Sequence, residues 1–172
     1  MSVQAGIQVD EISIARDSGE IEEFLDRLDR PLVYYAAPFS RFLLRAVPGS
    51  EAHWLAARRD GRLVGLLPGL VKSAPGFGRV YNSLPFYGSH GGYLVDPACA
   101  EAPAVARALV AALAETTRDC ASVTLIENPF APMDAGLLGG EELVGFDDRI
   151  GQFTALPAGA ADMDEALFSL FH

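Results

Sequence analysis

The stretch 53–67, HWLAARRDGRLVGLL, decides the fold. Two apolar runs flank Asp60-Gly61, a dipeptide that tight primed turns prefer. The stretch therefore predicts an antiparallel β-hairpin in the middle of the chain. Its two strands are expected over 53–58 and 62–67. Pro68 is unfavourable inside a central strand, so we expect a bulge or an edge position there before the second strand resumes.

One strand and two helices are predicted before this hairpin. Apolar residues alternate over 7–14, which indicates a strand. Apolar residues at helical spacing follow over 17–28, where the cluster Asp17-Ser18-Gly19 is expected to cap the start and Pro31 to end the helix. The same spacing recurs over 38–46 and predicts a second helix.

After the hairpin, strands and helices alternate. A PGFG turn leads into a third extended strand from Val80, the apolar stripe of 101–118 predicts the longest helix, and 123–126 predicts a short buried strand. Later segments indicate a helical turn, a strand and the start of a helix, at 134–138, 146–155 and 162–172. The order predicts an α/β fold of the mixed α+β type, with a central, mostly antiparallel sheet flanked by helices.

Composition places the chain among single-domain globular proteins. Of its 172 residues, 50% are hydrophobic and 21% charged, which excludes disordered, collagen-like and disulfide-scaffold classes. The net charge of -10 argues against general nucleic-acid binding, so no DNA partner is expected. Cys99 and Cys120 form no CxxC pair and are expected to be reduced thiols. We expect neither a secretory leader nor a membrane span, and hence a cytoplasmic location.

The charge is unevenly distributed along the chain. Residues 101–172 contain 12 acidic residues and three arginines, whereas residues 41–79 contain seven basic and two acidic residues. The basic excess of 41–79 has two interpretations. It is either a surface for the phosphates of a ligand or a solvated strand face.

The densest group of chemically useful residues is the segment 81–92, YNSLPFYGSHGG. Its three glycines allow backbone amides to approach a ligand closely. His90 is a candidate base, and Tyr87 and Ser89 carry hydroxyl donors. The alternative is a glycine-rich turn whose aromatic residues belong to the core.

Glu127 is a second candidate base, because a carboxylate at the end of a buried strand can accept a proton from a substrate. The alternative is a carboxylate that faces solvent or caps the next element. No metal site is expected, because the histidines lack ligand-like spacing to one another or to the cysteines. The histidines are His53, His90 and His172.

Residues 82–92, NSLPFYGSHGG, resemble a stretch of FemAB-like proteins, and the predicted element order is similar to that of a GNAT acyltransferase domain. FemAB-like proteins are bacterial cell-envelope transferases built from two tandem GNAT-like domains. The resemblance covers essentially the whole chain as the first of these domains. It implies a GNAT-like domain over 1–158 and the start of a linker helix over 159–172.

The resemblance implies the amino-terminal domain of an N-acyl or aminoacyl transferase. The acceptor would be a cell-envelope amine related to peptidoglycan or polysaccharide, and the donor of the full-length protein an acyl-CoA or an aminoacyl-tRNA. The implied partners are a second GNAT-like domain and the envelope precursor. His90 and Glu127 are the candidates for removing the proton of the attacking amine. The residues expected to bind substrate are Tyr87, Gly88, Ser89, His90, Gly91, Gly92 and Asn128.

The sequence departs from the family pattern in one loop. A GNAT domain that binds coenzyme A usually carries R/Q-x-x-G-x-G/A where its third long strand enters the following helix. Here the junction 95–101 is VDPACAE. We therefore expect this domain to bind no cofactor itself.

The last residues, 167–172, form the beginning of a helix and resemble the point where the family continues into its second domain. We expect a truncated domain that is inactive in isolation and whose exposed Leu167 and Leu170 favour a homodimer. Two other functions stay open at this point. One is a non-catalytic, degenerate GNAT-like binding module for a sugar or a protein partner, and the other is a self-contained coenzyme A acetyltransferase.

Overall fold

The computed structural model describes residues 6–29, 31–83, 90–126, 128, 130 and 145. The predicted elements at 134–138, 146–155 and 162–172, and the domain boundary after residue 158, lie outside these residues. The helices are α1 (Ser18–Leu25), α2 (Ala37–Ala46) and α3 (Ala102–Thr116), with a 3₁₀ turn at Val33–Tyr35. The strands are β1 (Gln8–Ile12), β2 (Ser50–Ala52), β3 (Trp54–Arg59), β4 (Arg62–Leu67), β5 (Leu70–Ala74), β6 (Gly78–Asn82), β7 (Leu94–Val95) and β8 (Cys120–Thr124).

The predicted hairpin is confirmed as β3 and β4. Its turn residues Asp60 and Gly61 both have positive φ, 50° and 78°, as a type I′ turn requires. Successive side chains of a strand point to opposite faces, and in this hairpin both faces are buried. Trp54 belongs to a first core with α1 and α2, whereas Leu55 belongs to a second core with α3.

The hairpin is interrupted and continues from one sheet into a second, and we call this interruption the bend. The first sheet has the order β1-β3-β4-β7 and the second the order β2-β5-β6-β8. The strands break at His53 and at Pro68-Gly69, and the two breaks face each other, because the His53 N–H donates to the Gly69 carbonyl at 2.9 Å. The bulge or edge expected at Pro68 is therefore a bend shared by both strands.

The strands β6 and β8 lie on either side of α3 in the chain and pair in parallel, as a strand-helix-strand unit should. The strand predicted over 123–126 is present as β8, but its predicted bounds and its predicted burial were wrong. The strand begins at Cys120, and Val123 is 43% exposed. In the described part of the sheet, β8 is an edge strand that pairs only with β6, which explains the exposure of its side chains.

The third extended strand is divided into β6 and β7. Asn82 pairs with Leu70, and Leu94 pairs with Leu66. Twelve positions separate Asn82 from Leu94, whereas only four separate their partners Leu70 and Leu66. The segment between β6 and β7 therefore contains more residues than a continuous strand could pair. The predicted site segment 81–92 begins with the last two residues of β6 and continues into this interruption.

Candidate functional site

The candidate site lies where the parallel strands β6 and β8 end. The Ser83 N–H donates to the Thr124 carbonyl at 2.9 Å, and the Ser83 hydroxyl accepts the Ile126 N–H at 2.8 Å. Ser83 is fully buried, so it fixes both strand ends to each other beyond their last pair. The carboxyl ends of neighbouring parallel strands are a common location for ligand sites in α/β folds.

Tyr35 reaches the same region from the turn between α1 and α2. Its hydroxyl donates to the Gly91 carbonyl, 56 positions further along the chain. The side chain of Asn128 lies close enough to the Tyr35 hydroxyl to lower its pKa, and its Oδ1 accepts the Phe130 N–H at 3.0 Å. We call Tyr35, Ser83, Gly91 and Asn128 the strand-end cluster. It joins three segments that are far apart in sequence.

The Tyr35 hydroxyl remains neutral in this environment. Burial raises its pKa well above the ordinary value, and this effect outweighs the hydrogen bond from Asn128, which lowers the pKa. A neutral phenol can donate to Gly91 and accept from Asn128 at once. Tyr35 therefore holds the residues around Gly91 in place rather than supplying a charge.

Four of the predicted site residues fall within the described part of the chain. They are His90, Gly91, Gly92 and Asn128. His90 is partly buried, whereas Gly91, Gly92 and Asn128 are buried, and Gly92 has a φ of 82° that favours glycine. Tyr35 connects Gly91 to Asn128, so two separate parts of the predicted site meet. Tyr87, Gly88, Ser89 and Glu127 lie outside the described residues, and their roles stay predictions.

Sequence reasoning missed Tyr35. It belongs to a VYY run between two helices, where nothing in the apolar spacing distinguishes a core tyrosine from one with a distant polar partner. The only available signal is general, since a tyrosine that is fully buried needs a hydrogen-bond partner for its hydroxyl.

A second polar group lies at the loop between β7 and α3. The carboxylate of Asp96 accepts hydrogen bonds from Arg27 Nε and Arg62 Nη2, each at 3.0 Å through Oδ2, and from the Ala98 N–H at 2.9 Å through Oδ1. We call these four residues the Asp96 cluster. Burial raises the pKa of Asp96, but the Ala98 N–H and the two arginines outweigh it and hold that pKa below its usual range.

A cavity of about 520 Å³ opens beside the Asp96 cluster. Its lining includes Arg59, Arg62, Asp96 and Cys99. Arg59 forms ion pairs with Glu101 and, at 3.8 Å, with Asp60. Both arginines of this lining are thus already paired with carboxylates of the chain.

Within the described residues, no group of three or more His, Cys, Asp or Glu side chains is arranged to hold a metal ion. None of their helices is long and apolar enough to cross a membrane.

Solved structures with the same fold are acetyltransferases of the GNAT superfamily. An aminoglycoside acetyltransferase from an uncultured soil metagenomic sample, in complex with trehalose, is 10% identical with a TM-score of 0.55, covering 91% of this chain and 100% of that chain. A ribosomal-protein-alanine N-acetyltransferase from Brucella melitensis biovar Abortus 2308 is 17% identical with a TM-score of 0.50, covering 87% of this chain and 98% of the other. A predicted acetyltransferase with acetyl-CoA from Clostridium acetobutylicum is 8% identical with a TM-score of 0.51, covering 86% of this chain and 96% of the other.

The chain therefore has the GNAT acetyltransferase fold, and the predicted fold class is confirmed. No protein-family model matches the chain, and no curated protein sequence matches it either. Fold alone does not define a reaction, so the function has to be argued from the chain's own residues.

Proposed function

We propose that this chain is an acyltransferase domain that holds an amine acceptor beside the strand-end cluster. One observation carries the proposal: polar groups from three distant segments converge at the ends of the parallel strands β6 and β8. They do so next to the partly buried His90. The GNAT fold supports the same reaction class.

The proposed chemistry assigns a separate task to each group. The amine nitrogen attacks the acyl carbon, and the bond from that carbon to the leaving thiolate or alkoxide breaks. His90 accepts the proton of the amine and returns it to the leaving group. Tyr35 and Asn128 act as positioning residues, because they hold the carbonyl of Gly91 next to His90.

We also propose a particular acceptor and donor, which the fold alone does not specify. The support for them is the sequence of residues 82–92. Their resemblance to FemAB-like proteins supports a cell-envelope amine as the acceptor and a second GNAT-like domain as the partner that supplies an acyl-CoA or aminoacyl-tRNA donor. In this division of labour the present domain recognises the acceptor in the cytoplasm and has little or no turnover alone.

The test measures acceptor binding and turnover separately. Amino sugars and peptidoglycan stem peptides are titrated into the labelled chain, and the amide signals of Gly91 and Gly92 are followed by NMR. Turnover is assayed with acetyl-CoA and with aminoacyl-tRNA. We expect saturable acceptor binding without measurable turnover. His90→Ala should weaken binding about tenfold or more, which is about 1.4 kcal/mol. His53→Gln, a histidine at the bend of the sheet, is the matched control.

Each result decides one part of the proposal. If none of the acceptors perturbs the Gly91 and Gly92 signals, the strand-end cluster is not an acceptor site. If the chain alone turns over acetyl-CoA, the division of labour is wrong. If His53→Gln weakens binding as much as His90→Ala, the effect is structural and His90 has no direct role.

A second candidate function is a non-catalytic GNAT-like binding module for a sugar or a protein partner. The arginines beside Asp96 favour it, because they are already paired with carboxylates and leave little basis for a donor site. A saturable acceptor that no donor ever acylates, whichever donor-binding protein is added, would favour this module over the transferase.

A further inference from the structure

The loop before α3 has few amides to offer an anion. In the resemblance described above, a glycine-containing loop at this junction would present backbone N–H groups to the pyrophosphate of coenzyme A. Here Pro97 and Pro103 have no N–H at all. The N–H groups of Ala98, Cys99 and Ala102 donate to acceptors within the loop, at 2.9, 2.9 and 3.2 Å.

The charges of the loop are also satisfied internally. The Asp96 side chain is 4% exposed, and its charge is balanced by two guanidinium groups, those of Arg27 and Arg62. A further guanidinium, that of Arg59, lines the cavity together with Arg62 and is paired with Glu101. A phosphate that entered would meet the carboxylates of Asp60, Asp96 and Glu101. It would have to displace one of them from an arginine, which is unfavourable because the displaced carboxylate loses its partner.

The Asp96 cluster has the composition of an anion site that already contains its anion. A loop N–H and two arginines converge on the two oxygens of one carboxylate. Amide N–H groups and guanidinium groups are also the donors that bind phosphates in proteins. The residues present therefore do not fit coenzyme A, although the fold implies it.

We propose that the Asp96 carboxylate takes the place of a bound anion in the loop before α3, so that this loop binds neither coenzyme A nor pyrophosphate. This loop lies on the donor side of the domain and is separate from the proposed acceptor site. Neutralising Asp96 should free the arginines and create a site for a small polyanion.

The test compares Asp96→Asn with Asp60→Asn. Both substitutions remove one negative charge beside the same cavity, but the Asp60 side chain is 87% exposed, and among the described residues it forms an ion pair with Arg59 alone, at 3.8 Å. Coenzyme A and inorganic pyrophosphate are titrated at millimolar concentration against the whole chain, by calorimetry and by thermal unfolding at constant ionic strength. We expect no saturable response from the unmodified chain or from Asp60→Asn. Asp96→Asn should bind pyrophosphate at least about tenfold more tightly, and its unfolding midpoint should rise with pyrophosphate.

Two outcomes overturn the inference directly. One is saturable binding of coenzyme A to the unmodified chain that weakens when Arg62 is replaced by Ala. The other is the absence of a pyrophosphate response in both Asp96→Asn and Asp96→Ala when each variant is folded. If Asp96→Asn does gain a response, adding Arg62→Ala must abolish it, and retention of binding in the double variant would place the anion elsewhere. Asp96→Ala provides a second variant if the Asn side chain keeps the arginines engaged. These results are independent of acceptor binding, so failure here is distinguishable from failure of the proposed function.

Discussion

Tyr35 is the single side chain on which the strand-end cluster depends most. It is fully buried, its hydroxyl donates to the Gly91 carbonyl, and the Asn128 side chain lies beside that hydroxyl. Removing that oxygen would leave the buried Gly91 carbonyl without this donor. A buried polar group left unpaired loses its hydration without compensation, which is costlier than the net value of the hydrogen bond itself.

We therefore predict that Tyr35→Phe destabilises the protein by about 1–3 kcal/mol. Tyr34→Phe is the matched control, because Tyr34 is partly exposed. Its ring packs edge-to-face with that of Phe39, with the ring centroids 5.1 Å apart. Its effect should stay within about 0.5 kcal/mol. Urea unfolding of the two variants measures both values. A loss for Tyr35→Phe no larger than that for Tyr34→Phe would show that the buried Tyr35 hydroxyl contributes no more to stability than a partly exposed one.

At this scale, the sequence predicts residue types better than residue pairs. The glycines and His90 stand out because their chemistry is local, and the structure does connect Gly91 to Asn128. Tyr35 and Arg27 do not stand out, because their partners Gly91 and Asp96 are 56 and 69 positions away. Only the packing of the helices against the sheet brings such partners together, and no periodicity records it.

Among the elements, the bend of the central hairpin determines where the second sheet begins. Gly69 lies at the bend and contacts the buried ring of Tyr81 so closely that a Cβ atom on residue 69 would lie 2.2 Å from Cε2. Tyr81 is fully buried between strand and core, so it has little room to move away. The close approach is therefore possible only with glycine.

Gly69→Ala should destabilise the protein by about 1–3 kcal/mol through overpacking. Gly19→Ala is the control, because Gly19 lies in α1 and a Cβ there would meet nothing within 4 Å. That substitution should instead stabilise the protein by about 0.4–1 kcal/mol, since it restricts the unfolded chain. Urea midpoints at unchanged slope give both values. If the two alanine variants are equally stable, Tyr81 can move aside and the bend tolerates a side chain.

The elements that the sequence predicts well are those set by neighbouring residues. The Asp60-Gly61 hairpin, α2 and α3 appear within a few residues of their expected positions because turn chemistry and helical spacing are local. The two-residue strand β7 and the exposure of β8 were not anticipated. Both follow from which strands become neighbours in the sheets, and this depends on pairing between distant parts of the chain.

At the scale of the whole molecule, the described residues form two cores that share one hairpin. Trp54, Ala56 and Leu66 face the core under α1 and α2, whereas Leu55 and Leu67 face the core under α3. The same two strands continue past the bend into the second sheet. Loss of one core would expose one face of strands that the other core needs, so the two cores should not unfold separately.

This arrangement predicts that damage to the second core is felt in the first. Leu109 is fully buried in α3 and belongs to the second core only, so Leu109→Ala should cost about 2–5 kcal/mol. Trp54 is the only tryptophan of the chain and reports on the first core. In urea, the midpoint of Trp54 fluorescence and that of far-UV circular dichroism should fall together in this variant.

The control is Arg107→Ala, on the exposed side of α3. By either signal, it should change the free energy of unfolding by no more than about 0.5 kcal/mol. A Trp54 transition that stays in place while the dichroism midpoint falls would mean that α3 and its core unfold on their own, and that the shared hairpin does not couple the two faces.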